Sequence, residues 1–279
     1  MPSDDMAFIR DQACLRTALK LQPLPARVRE DQKEDTMVLE RRESRLIVAA
    51  DFKPDPEKGQ DRGWVREQVL QLADDLHGLG VTLKVNSALR ACGYHLMTEI
   101  QDRSLEVFAD LKLVDIDETL ILDGALLDAA RPKIVTAMAD AGPKALTALR
   151  HQMLSAKLIA VTVLTTMTEA DTMAKYGCPI PEAVVRLAKY VKGSVDGYVC
   201  SAKEIAVLRA AVGEGAEIVA PAIRPACLPV KGDDQNPARI VTAKQALRLG
   251  ADYIVVGRPI TQHADRRAAT MMTLEEMFS

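Results

Sequence analysis

The run Glu106-Val107-Phe108-Ala109-Asp110-Leu111-Lys112 reads as a β-strand whose apolar residues are interrupted by two charges two positions apart. Strand side chains alternate between faces, so Asp110 and Lys112 share one face while Leu111, and Leu113 just beyond, take the other. A strand apolar on one face and charged near its end on the other needs a covered exterior and an interior with a use for charge. Seven further short runs, rich in β-branched residues, share this character: Arg45–Asp51, Val81–Val85, Lys133–Ala137, Leu158–Thr165, Gly197–Ser201, Glu217–Ile223 and Tyr253–Gly257. Between them lie stretches of helical periodicity, clearest at Val65, Val69, Leu72, Leu76 and Leu79 and at Ala183, Val184, Leu187, Ala188 and Val191. Mostly apolar strands alternating with helices imply a parallel sheet covered by helices. Eight such units fit a closed (β/α)8 TIM barrel, which typically needs about 250 residues. A doubly wound sheet fits less well, since no G-x-G-x-x-G follows the first run.

The chain has 279 residues, 48% hydrophobic and 27% charged, with a formal net charge of -3 and 4% aromatics. That is a globular composition and excludes disorder throughout. A nucleic-acid binder would show a basic stripe and stacking rings, and neither is present. Apolar runs such as Leu158 to Leu164 are far shorter than the roughly 18 residues of a membrane span, and the charged opening residues lack the layout of a secretory signal. Five cysteines, at 14, 92, 178, 200 and 227, form no C-x-x-C pair, which fits reduced thiols in a cytoplasmic protein. Four histidines, at 77, 95, 151 and 263, show no metal-ligand spacing. Residues 1–43 read as a charged N-terminal extension, with a helix expected around Met6–Leu21 and stopped by Pro23 and Pro25. Residues 44–279 read as one barrel domain.

Barrel active sites form at the C-terminal ends of the strands. The polar residues expected there are Asp51 at the end of the first run, Lys84 in the second, Asp110 and Lys112 in the third with Asp115 just after, Thr165 at the end of the fifth, Arg224 after the seventh and Arg258 after the eighth. Burying an ammonium or a carboxylate costs several kcal/mol per ion unless it is paired, and apolar replacements are often as stable. Stability therefore explains inward charges on consecutive strands poorly, whereas an array of Lys84, Asp110, Lys112 and Asp115 would compensate itself. Gly257 and Arg258, at a strand-to-helix turn, suit a phosphate. The polar loop from Arg224 through Gln235 reads as a cover that closes over a ligand.

These residues resemble the orotidine 5'-monophosphate decarboxylase family, from Arg45 to about Gln262. The resemblance rests on Ile47-Val48-Ala49-Ala50-Asp51, Lys84-Val85, Asp110-Leu111-Lys112-Leu113-Val114-Asp115-Ile116-Asp117-Glu118-Thr119, Val163-Leu164-Thr165, Ile223-Arg224-Pro225, Asp234-Gln235 and Gly250 through Ile260. It implies a TIM barrel that decarboxylates orotidine 5'-monophosphate to UMP without metal or organic cofactor, in de novo pyrimidine synthesis. Lys112 is then the proton donor, Asp110 lies against the substrate carboxylate, Lys84 bridges the network near the ribose, Asp51 binds a ribose hydroxyl and Thr165 sits near the base. Arg224, Gln235, Gly257 and Arg258 hold the phosphate. Asp115 and Thr119 reach into a neighbouring subunit's site, which implies a homodimer with shared active sites. Asn86, Val114, Asp117 and Met138 depart from the family pattern. Two other readings use the same scaffold: a Mg-dependent phosphosugar lyase, for which Lys84 stands where an acidic ligand is needed, and an inactive nucleotide-binding barrel.

Overall fold

In the computed structural model, residues 45–230 and 241–279 are described. The expected extension at 1–43, with its helix around Met6–Leu21, lies outside them. Eight parallel strands close into a barrel in sequence order: β1 (Leu46–Ala49), β2 (Thr82–Val85), β3 (Glu106–Leu113), β4 (Ile134–Met138), β5 (Lys157–Val161), β6 (Gly197–Val199), β7 (Glu217–Ala220) and β8 (Tyr253–Val256). Closure is made by β1, which pairs with β2 on one side and with β8 on the other. All eight expected runs are strands, but several stop early. β1 ends at Ala49 and β5 at Val161, so Asp51 and Thr165 lie on the loops just beyond their strands rather than at the last strand positions.

Alternation along each strand divides the apolar residues into two layers. Ile47, Ala49, Phe108, Ile134, Ile159, Val219, Tyr253 and Val255 pack together inside the barrel. Their neighbours Leu46, Val48, Leu83, Val107, Ala109 and Leu158 point outward into the layer beneath the helices.

Helices supply the other half of that layer. α1 (Arg62–Leu76) starts where the Asp61 side chain accepts the N–H groups of Gly63 and Trp64, satisfying donors that have no partner within the helix. It buries Val65, Val69, Leu72, Ala73 and Leu76 at helical spacing. Two short helices, α2 (Ser87–Cys92) and α3 (His95–Gln101), follow β2. After β3 comes α4 (Asp117–Ala130), and α5 (Gly142–Gln152) follows β4. Beyond β5, α6 (Glu169–Tyr176) begins with a Thr168–Asp171 capping box, and α7 (Ile180–Tyr190) buries Ala183, Val184, Leu187 and Ala188 as the periodicity predicts. The circuit continues through α8 (Ile205–Val212), α9 (Ala243–Arg248), α10 (Arg258–Thr261) and α11 (Arg266–Phe278). Among the described residues, no helix is long and apolar enough to cross a membrane. Cys92, Cys178, Cys200 and Cys227 are free thiols.

β3 departs from regular geometry where the site requires it. Between Ala109 and Leu113 the strand advances past β4, which moves only from Val135 to Ala137. Within this bulge Lys112 has φ 53°, a left-handed conformation that costs a side-chain-bearing residue about 1 kcal/mol.

At the opposite end of the barrel, Gly197 pairs with Glu217 across β6 and β7, and a Cβ at Gly197 would land on the Glu217 backbone carbonyl. Backbone cannot swing aside as a flexible side chain can. Gly197→Ala is expected to lose about 1–3 kcal/mol of stability, read as a lower urea midpoint at unchanged m-value.

Candidate active site

The centre of the site is Asp110. It lies two residues beyond the inward-facing Phe108 and so also points into the barrel, near its C-terminal mouth. Lys84 occupies the corresponding place on β2. Both are almost fully buried, with 7% and 8% of their surface exposed. Asp110 Oδ2 lies 2.7 Å from Lys112 Nζ and 3.3 Å from Lys84 Nζ, so one carboxylate oxygen faces two ammonium groups. Lys84 in turn reaches Asp51, whose oxygens lie 3.0 and 3.3 Å away. The chain Asp51–Lys84–Asp110–Lys112 balances two negative charges against two positive ones.

Within one subunit, therefore, the expected array closes through Asp51 rather than Asp115. Asp115 is exposed beyond the end of β3 and accepts the Ile116 N–H at 2.8 Å. Thr119 lies one turn into α4, and neither lines the cavity over Asp110.

Burial penalises charge at both Lys84 and Asp110, and their partners overcome it. For Lys84, desolvation pulls the pKa down, but Asp110 and then Asp51 raise it above the ordinary lysine value. For Asp110, desolvation pushes the pKa up, but Lys84, Lys112 and hydrogen bonds from Lys112 and Thr136 bring it below the ordinary aspartate value. Both groups are held in their charged forms.

Thr136, fully buried on β4, is the polar residue that sequence reasoning missed. Its Oγ1 donates to Asp110 Oδ1 at 2.9 Å and accepts the Lys112 N–H at 3.0 Å. The signal was present: alternation from Ile134 puts residue 136 inside, at the level of Asp110. A search for charges at strand ends passes over a threonine.

The cavity above this cluster encloses about 390 Å³, within the usual range for small-molecule sites. Asp51, Lys84, Asp110, Lys112, Thr165, Arg224, Gly257 and Arg258 all line it, so eight of the eleven expected site residues come together. Gln235 lies outside the described residues. Val161, Val163 and Leu164 provide an apolar wall. Arg224 is buried, its N–H bonded to the Val241 carbonyl at 3.0 Å, and it follows Ala222, whose φ is 64°. Arg258 opens α10, and the Gly257 carbonyl accepts from the Ile260 and Thr261 N–H groups. A Cβ at Gly257 would meet Ala49 at an ordinary 3.6 Å, so the protein's own packing does not require glycine there.

Two of the departures from the family pattern have structural partners. Asn86 Oδ1 accepts from Arg90, which also reaches the Leu111 carbonyl at 2.9 Å and so ties α2 to β3. Asp117 pairs with Lys144. Val114 is exposed and Met138 ends β4. A larger hollow of about 630 Å³ opens at the other end of the barrel, where Arg150 pairs with Asp196 and Lys157 with Glu217. Among the described residues, no group of three His, Cys, Asp or Glu side chains is placed to hold a metal ion.

A closed parallel barrel with a buried ammonium–carboxylate chain on one side of its mouth and two arginines lining the same cavity defines an enzyme site on the (β/α)8 scaffold, suited to an anionic small molecule. Residues 44–272 match the profile of the Orotidine 5'-phosphate decarboxylase / HUMPS family, and the chain belongs to that family. It is 36% identical over 240 residues to the orotidine 5'-phosphate decarboxylase of Saccharophagus degradans, covering 83% of this chain and 94% of that protein. With the Pseudomonas aeruginosa enzyme of the same name it shares 37% over 246 residues, covering 84% and 98%. The crystal structure of orotidine 5'-phosphate decarboxylase from Lactobacillus acidophilus superposes with a TM-score of 0.67 at 27% identity, covering 84% of this chain and 99% of that one.

Replacing Asp110 removes the carboxylate that Lys84 and Lys112 share, leaving Asp51 beside Lys84 alone among the described ion pairs. Asp110→Asn is expected to lose about 3 kcal/mol at neutral pH. Because the folded pKa of Asp110 is depressed, its contribution is present above the unfolded value of about 3.9 and fades as pH falls through the folded value. The gap between wild type and variant in urea unfolding should therefore be constant from pH 7 to 5 and close in more acidic buffer.

Proposed function

We propose that this chain removes CO2 from orotidine 5'-monophosphate to give UMP, as a carboxy-lyase of de novo pyrimidine biosynthesis. The observation that carries the reading is the Lys112 ammonium held 2.7 Å from a buried carboxylate inside the cavity. When the bond to CO2 breaks, its electron pair stays on a ring carbon with no adjacent electron sink. The barrier then falls only where charge of the opposite sign is already fixed in place. Lys112 supplies that charge and afterwards the proton, which forms the new C–H bond. It regains a proton from solvent.

The remaining residues divide between binding and orientation. Arg224 and Arg258 hold the phosphate with Gly257 and Gln235. Asp51 takes a ribose hydroxyl, Lys84 bridges Asp51 and Asp110, and Thr165 stands by the base. Asp110 lies against the substrate carboxylate. Phosphate contacts far from the breaking bond provide binding energy that orients the reacting end. No cofactor takes part in this scheme. In a Mg-dependent lyase Asp110 would turn to a metal, yet here its Oδ1 is bonded to Thr136 and its Oδ2 to two lysines.

The active species in this reading is a homodimer with shared sites. Asp115 and Thr119 do not line the cavity over Asp110, and around them Val114, Ile116, Leu122 and Leu126 are each more than half exposed. Thr119, Leu122 and Leu126 recur at helical spacing on α4 and so share a face. Such an apolar surface flanking two polar residues suits a second copy that receives them into its own cavity.

Purified protein should consume orotidine 5'-monophosphate in a spectrophotometric assay, at equal rates with and without EDTA. Loss of turnover in chelator would support the metal-dependent reading, and tight UMP binding without turnover would support the inactive one. Lys112→Ala should lower kcat at least about 1,000-fold while UMP still binds through its phosphate. Mixing inactive Asp115→Ala chains with inactive Lys112→Ala chains should restore part of the activity, since one hybrid site per dimer is then complete. No recovery despite demonstrated subunit exchange refutes shared sites.

A further inference from the structure

Thr136 has no exposed surface and contributes nothing to the cavity lining, yet it touches both members of the central pair. A hydroxyl has one proton and two lone pairs. Here the proton goes to Asp110 Oδ1 and a lone pair receives the Lys112 N–H, at 2.9 and 3.0 Å. Donation to the carboxylate fixes the hydroxyl rotor, which aims the acceptor at the Lys112 amide. The two bonds support each other and span the bulge where β3 and β4 leave register.

We infer that Thr136 is a positioning residue for the proton transfer: through Asp110 and the Lys112 backbone it holds the Lys112 ammonium at the ring carbon that loses CO2. This rests on the reading of Lys112 as proton donor. Asp110 Oδ1 is occupied by Thr136, so Oδ2 is the oxygen presented to both lysines. The left-handed backbone of Lys112 persists only if its surroundings fix it, and the Thr136 hydroxyl takes the amide N–H where the β3–β4 ladder is interrupted. Loss of this single hydroxyl releases the carboxylate to rotate and the lysine backbone to relax toward the extended form. The ammonium then moves relative to the bound substrate. The residues assigned to the phosphate follow the late strands, and Asp51, assigned to the ribose, meets Asp110 through Lys84, so the effect falls chiefly on the chemical step.

Thr136→Val in the full-length chain keeps the shape and removes the hydroxyl. Its kcat for orotidine 5'-monophosphate should fall about 100-fold, the scale of a displacement near 1 Å in an active site, with KM nearly unchanged. Thr136→Ser, which keeps the hydroxyl, should recover most of the loss. Because the valine variant removes a hydrogen bond that favours the Asp110 carboxylate, the acidic limb of its kcat profile should move to higher pH, a change that simple loosening of the core does not produce. Thr136→Ala is read in the same way if the valine variant does not accumulate as folded protein. Folded valine or alanine variants with wild-type kcat would overturn the inference. So would equal losses in the valine and serine variants with an unmoved acidic limb, or a failure of both valine and alanine variants to fold while serine does. If wild type itself does not turn over the nucleotide, the functional reading fails instead.

Discussion

One carboxylate oxygen between two ammonium groups is the constraint around which this end of the barrel is arranged. Asp110 Oδ2 faces Lys84 and Lys112 at 3.3 and 2.7 Å. At Lys84 burial works against the charge, and Asp110, ahead of Asp51, leads the partners that outweigh it. The charges are retained at a cost that an apolar cluster would not carry. The two lysines differ in what they leave available. Lys84 is spent, with bonds to both oxygens of Asp51 and a contact to Asp110. Among the described residues Lys112 has one carboxylate partner, and 30% of its side chain is exposed, so its remaining N–H donors are available to whatever enters the cavity.

Strand alternation makes such an array possible. Phe108 fills the barrel interior beneath Asp110, and Ile134 lies beneath Thr136, so apolar side chains below the charged level keep water from reaching it from the far end. The bulge adds what alternation alone does not provide. By carrying Lys112 through a left-handed backbone turn, it separates the lysine from the regular ladder at the mouth while its side chain remains against Asp110. A strand in perfect register would present Lys112 as an ordinary end residue.

The barrel was legible because its signal repeats eight times: short β-branched runs and helical stripes recur in a fixed order, and the residues expected to be buried at Val65 through Leu79 and Ala183 through Val191 are buried. Lys84, Asp110 and Lys112 were legible because a charge within an apolar strand is rare and a period of two fixes its direction. Strand ends were not, since Ala50, Val163 and Leu164 continue the apolar runs toward Asp51 and Thr165 although the strands end at Ala49 and Val161. The substitution of Asp51 for Asp115 in the array follows from geometry that spacing cannot convey. The loop after Ala49 returns toward Lys84, whereas the chain after Leu113 turns outward into α4. The left-handed φ of Lys112 leaves no mark in sequence either, because glycine is absent from that position.

On the proposed reading, the residues for binding and those for chemistry also follow different strands. Arg224 is anchored by its own main chain and Arg258 by the start of α10, and both follow the late strands. The ammonium–carboxylate chain belongs to loops and strands of the first third. A phosphorylated ligand that spans the two sides has its anionic end fixed by groups that do not change during reaction, while the other end meets groups whose field favours charge developing on the ring. Interactions equal in ground and transition states lower KM alone; only the second set can raise kcat. Because β8 pairs with β1 in the closed barrel, the two sets meet at neighbouring strands of one frame, so the first can hold the substrate in register with the second before the bond begins to break.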